Sequence, residues 1–303
     1  MKKNKNSENR GAAGFDAYYT EVYGPRWNTL KNALSRESLH AGICYPSKKE
    51  YFLDPASLCA ALCLPCSSSS RNFDMCAAPG GKSLVLAGCM NEEASLFSNE
   101  RSAPRKKRLD SVLAESLEDS VLQRVRTFCG DAAVRCRRET ECYDSILLDA
   151  PCSSERHVLA DPRYLCEWSP ARIKTLSMEQ WALLSSAWKM LAPGGFILYA
   201  TCALAPKEND GTIQRLLKKN PEARICTRET IRSIMTENLS RAKFSIKLPA
   251  SCSVESVFDS AESTENGLHV LPDTSGGYGP LYFSLIHKPF RANRKRRPVL
   301  KVQ

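Results

Sequence analysis

Two cysteines follow apolar runs in this sequence, and their positions could bring two thiols into one cleft. Cys152 ends the segment DSILLDAPC, in which Asp149 precedes it, and Cys202 ends the segment FILYATC. Continuous apolar runs are typical of strands that are buried on both faces. If the two strands are neighbours, their tips lie about 5 Å apart and the thiols face each other. Two buried thiols are the alternative in a chain of 14 cysteines, but chance seldom places both at strand tips beside an aspartate.

A glycine-rich turn, MCAAPGGKS at residues 75–83, follows an earlier apolar run. A phosphate-binding P-loop needs a glycine five positions before its Gly-Lys-Ser, where this chain has Cys76. A dinucleotide-binding turn needs Gly-x-Gly-x-x-Gly, which Gly80 and Gly81 do not supply. The turn therefore predicts an uncharged or cationic ligand that approaches the backbone closely.

Strands and helices alternate after residue 70. The pattern predicts strands over 72–76, 96–98, 125–129, 144–152 and 196–202. It predicts helices over 81–90, from Pro104 onward, and over 173–191, the last of which Pro193-Gly194-Gly195 stops. Such alternation requires crossover connections, so we expect an α/β fold with a doubly wound, mostly parallel sheet and helices on both faces. Ligands of such sheets bind beyond the carboxyl ends of the strands.

Carboxylates follow the second and third predicted strands, at Glu100 and Asp131. A carboxylate after the second strand commonly binds the ribose hydroxyls of a nucleotide. An aspartate after the third strand can accept a hydrogen bond from an adenine amino group. Because no phosphate-binding glycines accompany them, S-adenosylmethionine fits this sheet edge better than NAD or ATP.

The composition favours a polyanionic partner. The net charge is +10 and the pI is about 9.0, which indicates nucleic acid first and an anionic membrane second. No apolar run reaches the roughly 18 residues of a membrane-spanning helix, and MKKNKNSENR lacks the apolar core of a secretion signal. We therefore expect a soluble cytoplasmic protein with reduced cysteines, the mitochondrial matrix being the alternative. Cys63 and Cys66 have the spacing of half a zinc site without a second pair, so no metal is predicted.

The composition also divides the chain into four segments. We expect residues 1–14 to be disordered, 15–70 to form a helical N-terminal extension, 71–289 to form the main domain and 290–303 to form a basic tail. The aromatic residues of FDAYYTEVYGPRW are expected to pack onto the main domain rather than to stack on RNA. The acidic, serine-rich segment 251–265 is interpreted as a surface insertion.

Three segments resemble the motifs of the Fmu/Sun family of RNA (cytosine-5) methyltransferases. DMCAAPGGKS resembles its cofactor loop, DAPCSSERH its Asp-x-Pro-Cys motif and YATCAL its Thr-Cys motif, and together they cover about residues 70–220. GGYGPLYFSLIHK is similar to the family's last core strand. FDAYYTEVYGPRW with GPLYF is more similar to its compact, mitochondrial-type rRNA branch than to bacterial members with added RNA-binding domains. The resemblance implies a Rossmann-like class I S-adenosylmethionine-dependent methyltransferase domain that follows a small helical N-terminal extension.

The resemblance also implies a role for each matching residue. Cys202 is the nucleophile that adds to C6 of cytosine, and Cys152 serves the release step. Asp149 binds the base at N3 and N4, and Lys82 assists it. The implied contacts of S-adenosyl-L-methionine are Cys76, Ala77, Ala78, Pro79, Gly80, Gly81, Glu100, Arg105, Asp131 and Asp149. Many members have aspartate at the position of Glu100, which moves the carboxylate by a methylene.

The implied substrate is RNA, with rRNA first and tRNA second, in which the enzyme forms 5-methylcytidine. A base that must leave its stack favours single-stranded or loop RNA. The basic clusters 105–108 and 135–138 and the tail RANRKRRPVLK are candidate phosphate contacts, with solvated surface as the alternative. We expect a monomer without a membrane partner, and a protein that delivers the RNA is left open.

Two other functions remain as alternatives. A non-catalytic RNA-binding assembly factor would have no need of both Cys152 and Cys202. A DNA cytosine methyltransferase would follow its Pro-Cys motif with Glu-Asn-Val, which this sequence lacks. Both are therefore less favoured than an RNA methyltransferase.

Overall fold

A computed structural model describes residues 10–249 and 252–290, and its strands form two sheets. The strands are β1 (Ala41–Cys44), β2 (Tyr51–Leu53), β3 (Arg71–Asp74), β4 (Ser95–Glu100), β5 (Val125–Cys129), β6 (Tyr143–Asp149), β7 (Leu191–Thr201), β8 (Arg224–Ile225), β9 (Ser245–Lys247), β10 (Glu262–Ser263), β11 (Leu268–Val270) and β12 (Leu281–His287). The helices are α1 (Gly11–Tyr23), α2 (Trp27–Leu34), α3 (Pro55–Leu62), α4 (Gly81–Cys89), α5 (Ala103–Ser116), α6 (Asp119–Leu122), α7 (Ala132–Arg135), α8 (Glu155–Ala160), α9 (Pro162–Glu167), α10 (Pro170–Met190), α11 (Asp210–Lys219), α12 (Arg228–Arg241) and α13 (Val254–Ser260), with a 3₁₀ helix over Gly24–Arg26. From β3 to β7, strands alternate with helices as predicted.

The larger sheet contains nine of the strands in the described residues. Its order is β10-β11-β12-β7-β6-β3-β4-β5, with β8 paired to β12. The five strands from β7 to β5 are parallel, and β12 lies antiparallel to β7. The order of the parallel strands along the chain reverses between β3 and β6, which is the point where doubly wound sheets bind ligands. The predicted doubly wound, Rossmann-like sheet is confirmed.

Helices cover both faces of this sheet. On one face, α10 and α11 bury Leu184, Trp188 and Leu216. On the other face, α4 and α12 bury Leu84 and Met235. Each buried leucine-sized side chain contributes about 1.5–3 kcal/mol relative to an exposed one. Packing on both faces therefore holds the carboxyl ends of the strands at a fixed spacing.

The N-terminal region differs from its prediction in two respects. First, α1 begins at Gly11, inside the segment predicted to be disordered, because the Gly11 N–H donates to the Trp168 carbonyl at 2.9 Å and Gly14 is buried. Second, the segment 15–70 is not purely helical, since β1 and β2 form a small sheet with β9. The partner β9 lies some two hundred residues further along the chain, so no local pattern indicates this sheet. Residues 1–9 and the tail residues 291–303 lie outside the described part of the chain.

The aromatic residues near the N-terminus pack onto the main domain, as predicted. Phe15, Tyr19 and Trp27 are buried. The rings of Phe15 and Tyr19 lie 5.3 Å and 6.2 Å from the ring of Trp168, which precedes α10. This aromatic cluster ties α1 to the part of the chain that follows Cys152.

The described part of the acidic segment, residues 252–265, contains a packed helix, which differs from the expected surface insertion. Within it, α13 buries Val254, Val257 and Phe258 in the core that α3 shares. Ser253 caps the helix by accepting a hydrogen bond from the Ser256 N–H at 3.1 Å. The apolar positions repeat at helical spacing, but the surrounding serines and acids obscure the pattern.

The helix before Pro193-Gly194-Gly195 ends within one residue of its predicted end, but the three residues lie inside a strand rather than before one. The helix α10 ends at Met190, and the turn belongs to β7, where the pairing with β6 shifts register between Tyr143 and Ser145. A Cβ at Gly195 would lie 2.6 Å from the Asp144 carbonyl oxygen. Gly195 therefore permits the close approach of β6 and β7. Within the described residues, no helix is both long and apolar enough to cross a membrane.

Candidate active site

The pairing of β6 with β7 brings the two predicted cysteines together. Asp149 at the end of β6 pairs with Ala200 near the end of β7. Cys152 and Cys202 then follow in the loops beyond these ends, and their Sγ atoms are 3.1 Å apart. The sequence-based expectation that the thiols face each other is therefore met by the geometry.

Hydrogen bonds make the two thiols inequivalent. Cys152 Sγ and Ser154 Oγ each lie 3.1 Å from Cys202 Sγ. The hydrogen bond from Cys152, followed by that from Ser154, lowers the pKa of Cys202, although burial and the charge of Asp149 oppose the shift. The same hydrogen bond, followed by burial, raises the pKa of Cys152. Cys202 is thus the thiol disposed to ionise, and Cys152 the thiol that keeps its proton.

A lysine and an aspartate form an ion pair beside the thiols. Lys82, in the first turn of α4, donates to Asp149 Oδ2 at 2.7 Å and to Ser57 Oγ at 3.1 Å. Burial disfavours the charged lysine, but the charge and hydrogen bond of Asp149 outweigh it, so the pKa of Lys82 is raised. The pair therefore presents a carboxylate and an ammonium group next to Cys202.

An open cavity of about 610 Å³ lies over this group of side chains. Lys82, Asp149, Ser154 and Cys202 line it, with Arg156 at its wall. The Arg156 guanidinium donates to the carbonyls of residues 36, 277 and 279 at 3.0 Å each, and so fixes the segments that form the rim. The cavity is large enough for a nucleobase with its sugar, and its polar groups converge on the thiol of Cys202.

The predicted cofactor residues line two adjoining cavities rather than one cleft. Cys76, Glu100, Arg105 and Asp131 line the smaller. The larger, of about 250 Å³, is lined by the turn residues Cys76, Ala77, Ala78, Pro79 and Gly81 together with Lys82 and Asp149. Cys76 lines both of these cavities. Lys82 and Asp149 also line the cavity of about 610 Å³ beside Cys202, which we call the thiol cavity. The carboxyl ends of β3, β4, β5, β6 and β7 thus contribute to one continuous edge, but Gly80 and Cys152 do not line these three cavities.

The polar groups around Glu100 are already partly paired. Glu100 accepts from the Ser102 N–H at 2.8 Å and lies 3.4 Å from Arg105, which also donates to the Ala78 carbonyl at 2.7 Å. Asp131 caps α7 through Oδ1, which accepts from the Ala133 N–H at 2.9 Å. Both carboxylates keep an oxygen that can accept hydrogen bonds from a ligand.

The glycines of the turn are required by packing. Gly80 has φ +123°, a conformation that favours glycine, and a Cβ there would lie 3.0 Å from Val112. A Cβ at Gly81 would lie 2.7 Å from the ring of Tyr51. The space that a Cβ would need at either glycine is therefore filled by the protein's own side chains, whereas Gly81 still lines the larger cavity. The close approach of a ligand to this turn stays a prediction.

Four polar residues at this edge have no role assigned from the sequence. They are Asp74, Ser154, Glu155 and Glu208. Asp74 lines the cavity of about 250 Å³ beside the glycine-rich turn, which we call the turn cavity. Its Oδ2 accepts from the Ser83 hydroxyl at 2.7 Å, whereas its Oδ1 is buried without a hydrogen-bond partner. Burial, with a smaller contribution from the charge of Asp149, raises the pKa of Asp74 to about 7. The sequence signal for Asp74 is an acidic residue at the end of an apolar strand, because acidic residues are seldom buried.

The basic clusters are only partly free to contact phosphates. Lys106 pairs with Asp110 at 2.7 Å and Arg135 with Glu139 at 2.7 Å, within their own helices or turns. The exposed members are Arg105, which lies near Glu100, and Lys107, Arg108, Arg137 and Arg138. Cys63 and Cys66 are buried in the core at the end of α3, and the described residues contain no group of three or more metal-binding side chains.

Solved structures share this fold. The crystal structure of PH0851 aligns with a TM-score of 0.71 at 18% identity, covering 95% of this chain and 69% of that one. A methyltransferase homolog protein from Pyrococcus horikoshii aligns with a TM-score of 0.65 at 18% identity, covering 94% and 98% of the two chains. The arrangement of strands and helices is therefore that of Rossmann-like methyltransferases.

Sequence relatives point to a narrower group. Ribosomal RNA small subunit methyltransferase F of Cronobacter sakazakii is 37% identical over 164 residues, which are 54% of this chain and 33% of that protein. Its counterpart in Serratia proteamaculans is 35% identical over 177 residues, or 58% and 35% of the two chains. The chain thus spans about a third of the length of the curated relatives it matches.

A family model decides the assignment. The model described as 16S rRNA methyltransferase RsmB/F matches residues 61–261, which include the glycine-rich turn, Asp149, Cys152 and Cys202. The resemblance seen in the motifs is confirmed, and this chain belongs to the 16S rRNA methyltransferase RsmB/F family.

Proposed function

We propose that this chain is an S-adenosylmethionine-dependent RNA cytosine-5 methyltransferase that forms 5-methylcytidine in the rRNA of the small ribosomal subunit. The observation that carries the proposal is the thiol pair: Cys152 and Cys202 are 3.1 Å apart beside an open cavity that Cys202 lines. Family membership and the names of the relatives support rRNA as the substrate.

The pair suits the chemistry because C5 of cytosine is too weak a nucleophile to be methylated unaided. The Cys202 thiolate adds to C6, which forms a C–S bond and moves the electrons of the C5–C6 double bond toward N3. The Asp149–Lys82 pair lies next to Cys202 and stabilises this electron-rich base through hydrogen bonds at N3 and N4. C5 then behaves as an enamine carbon.

The same geometry explains how the enzyme releases its product. While Cys202 is a thiolate, its hydrogen bond keeps the proton on Cys152. Once the Cys202 sulfur is bound to C6, that thiolate charge is gone, and Cys152 can ionise more readily. Cys152 then accepts the C5 proton, the C5–C6 double bond re-forms, and Cys202 leaves as a thiolate.

The residues near the turn fit S-adenosylmethionine, which supplies the methyl group when it is bound. Asp74 Oδ1 is a buried acceptor without a partner in the turn cavity, where it suits a cationic ammonium group. Glu100 and Asp131 offer carboxylate oxygens in the neighbouring cavity, where they suit a ribose and an adenine amino group. This donor set lacks the phosphate-binding backbone that NAD or ATP would need.

Trapping the covalent adduct tests the proposal. A Cys152→Ala protein is mixed with S-adenosylmethionine and an unmodified 16S rRNA transcript, and the products are separated on a denaturing gel. We expect a protein–RNA adduct, because the methylated base can no longer lose its C5 proton to Cys152. Sequencing of the trapped RNA then identifies the cytidine.

The controls separate the roles of the two thiols. Cys152→Ala/Cys202→Ala must give no adduct, and Cys129→Ala, which removes an exposed thiol, must behave as wild type. A tRNA pool run in parallel tests the second substrate class. If Cys152→Ala forms no Cys202-dependent adduct with rRNA or with immature small-subunit particles, the assigned roles are wrong.

A further inference from the structure

Two buried glutamates connect the loops that carry the thiols. We call residues 150–154 the Cys152 loop and residues 202–209 the Cys202 loop. Glu155 follows the first loop at the start of α8, and Glu208 lies in the second loop. Both side chains are fully buried. Neither residue has a role in the chemistry proposed above, and each one binds the loop on which it does not lie.

Glu208 holds the Cys152 loop. Its Oε2 accepts from the Ser153 N–H at 3.0 Å, and Ser153 directly follows Cys152. The same oxygen accepts from Gln180 Nε2 at 2.8 Å, and Gln180 Nε2 also lies 2.8 Å from the Pro151 carbonyl. The backbone on both sides of Cys152 is thereby bound to one carboxylate and one amide.

Glu155 holds the Cys202 loop in the reverse direction. Its Oε2 accepts from the Leu204 N–H at 2.8 Å, two residues after Cys202. Its Oε1 accepts from the hydroxyls of Ser153 and of Tyr19, the latter a member of the N-terminal aromatic cluster. The two glutamates thus make reciprocal backbone contacts across the gap between the loops.

Burying two carboxylates this close together costs free energy, so we look for a function in the positions that their hydrogen bonds fix. Two buried carboxylates close together disfavour each other's charge, and burial followed by the charge of Glu155 raises the pKa of Glu208 to about 7. Glu208 Oε1 has no hydrogen-bond partner, so a proton there leaves both bonds to Oε2 intact. Apolar residues could fill this space with less penalty, but they could not bind the two N–H groups.

We propose that Glu155 and Glu208 are positioning residues that set the distance between the Cys152 and Cys202 sulfurs by clasping the two thiol loops to each other. Each thiol lies within two residues of an N–H group that the opposite glutamate binds. The expected effect of this clasp on methylation rests on the proposed function. Its effect on the distance between the two sulfurs does not.

The proximity of the two sulfurs can be tested chemically without RNA or cofactor, through the rate at which they form a disulfide. Diamide, an azo oxidant, takes two electrons and two protons from a pair of close thiols, which become a disulfide while diamide becomes the hydrazine. Trypsin places Cys202 alone in peptide 190–207 and Cys152 with Cys142 in peptide 139–156. Tandem mass spectrometry of the linked peptides therefore gives the rate at which Cys152 and Cys202 become joined.

We expect Glu208→Ala to slow this rate about tenfold or more, because small displacements of reacting groups cost such factors. Loss of the Glu208 charge alone would favour ionisation of Cys152 and act in the opposite direction. Glu208→Gln keeps an oxygen that can accept from Ser153, so it should stay within about threefold of wild type. Glu262→Ala, which removes a half-buried glutamate bound to Arg26 away from the thiols, serves as the matched control.

A second variant guards against loss of the fold. Glu208→Met keeps the volume without the acceptor, and it replaces Glu208→Ala if the alanine protein does not fold by thermal melting and circular dichroism. In rRNA methylation, we expect a lower kcat with little change in KM, since Glu208 does not line the cavity over Cys202. A wild-type rate of disulfide formation in a folded Glu208→Ala or Glu208→Met protein would overturn the clasp, whether or not the chain methylates RNA.

Discussion

Ser154→Ala tests the claim that hydrogen bonds tune the reactive thiol. The Ser154 hydroxyl lies 3.1 Å from Cys202 Sγ and lowers the pKa of Cys202. Hydrogen bonds to charged groups contribute about 1.5–3 kcal/mol. Sulfur is a weak acceptor, so we take about 1.4 kcal/mol, which corresponds to a tenfold smaller thiolate population at a fixed pH below the pKa. Ser154 has φ 55°, and alanine bears that backbone conformation no worse than serine, because both have a Cβ.

The assay is alkylation of Cys202 by iodoacetamide as a function of pH. Peptide 190–207 contains Cys202 as its one cysteine, so its modification is read without interference from the other thiols. We expect the rate at pH 7 to fall about tenfold and to recover in alkaline solution, where the thiolate forms without the hydroxyl. Ser38→Ala is the matched control, since Ser38 lines the same cavity without contacting either thiol. An unchanged pH profile in Ser154→Ala would refute the reasoning.

Two further predictions concern the cofactor and the N-terminal region. Asp74→Asn should weaken binding of S-adenosylhomocysteine about tenfold or more, because it removes a buried carboxyl group that pairs with the ligand's ammonium group, while adenosine binding stays unchanged. Calorimetric titration measures both, and equal losses for the two ligands would contradict the assignment. Phe15→Ala should lower the free energy of unfolding by about 3–5 kcal/mol, because it removes a fully buried ring from the aromatic cluster. Urea denaturation measures this loss, with Tyr164→Ala as an exposed aromatic control.

The sheet and its reactive edge could be predicted from sequence because their signals are local. Apolar runs that end in a glycine turn or in Asp149 mark β3 and β6, and the rule for doubly wound sheets then orders their tips. The adjacency of Cys152 and Cys202 follows from that rule alone. The strand β5 has its predicted bounds, but β6 ends three residues before its predicted end and β7 begins five residues before its predicted start. Such differences arise where pairing rather than side-chain pattern ends the strand.

The small sheet, the packing of α13 and the two buried glutamates could not be predicted, because they depend on contacts between distant parts of the chain. The small sheet joins β1 and β2 to β9, and α13 packs on α3, so neither is visible in a short window. Glu155 and Glu208 escaped attention because a charged residue in a loop is ordinarily solvated. Their roles emerge only when the opposite loop supplies an N–H group.

The aromatic cluster has a consequence for the order in which the protein is made. Phe15 and Tyr19 leave the ribosome early, but Trp168, Leu204 and Leu271, which complete their core, are synthesised much later. At about 5–20 residues per second, the helix waits on the order of ten seconds or more for these partners. Tyr19 also binds Glu155, so the same helix supports the segment that follows Cys152. The core that holds Leu204, two residues after Cys202, is therefore complete only after Leu271 has been synthesised.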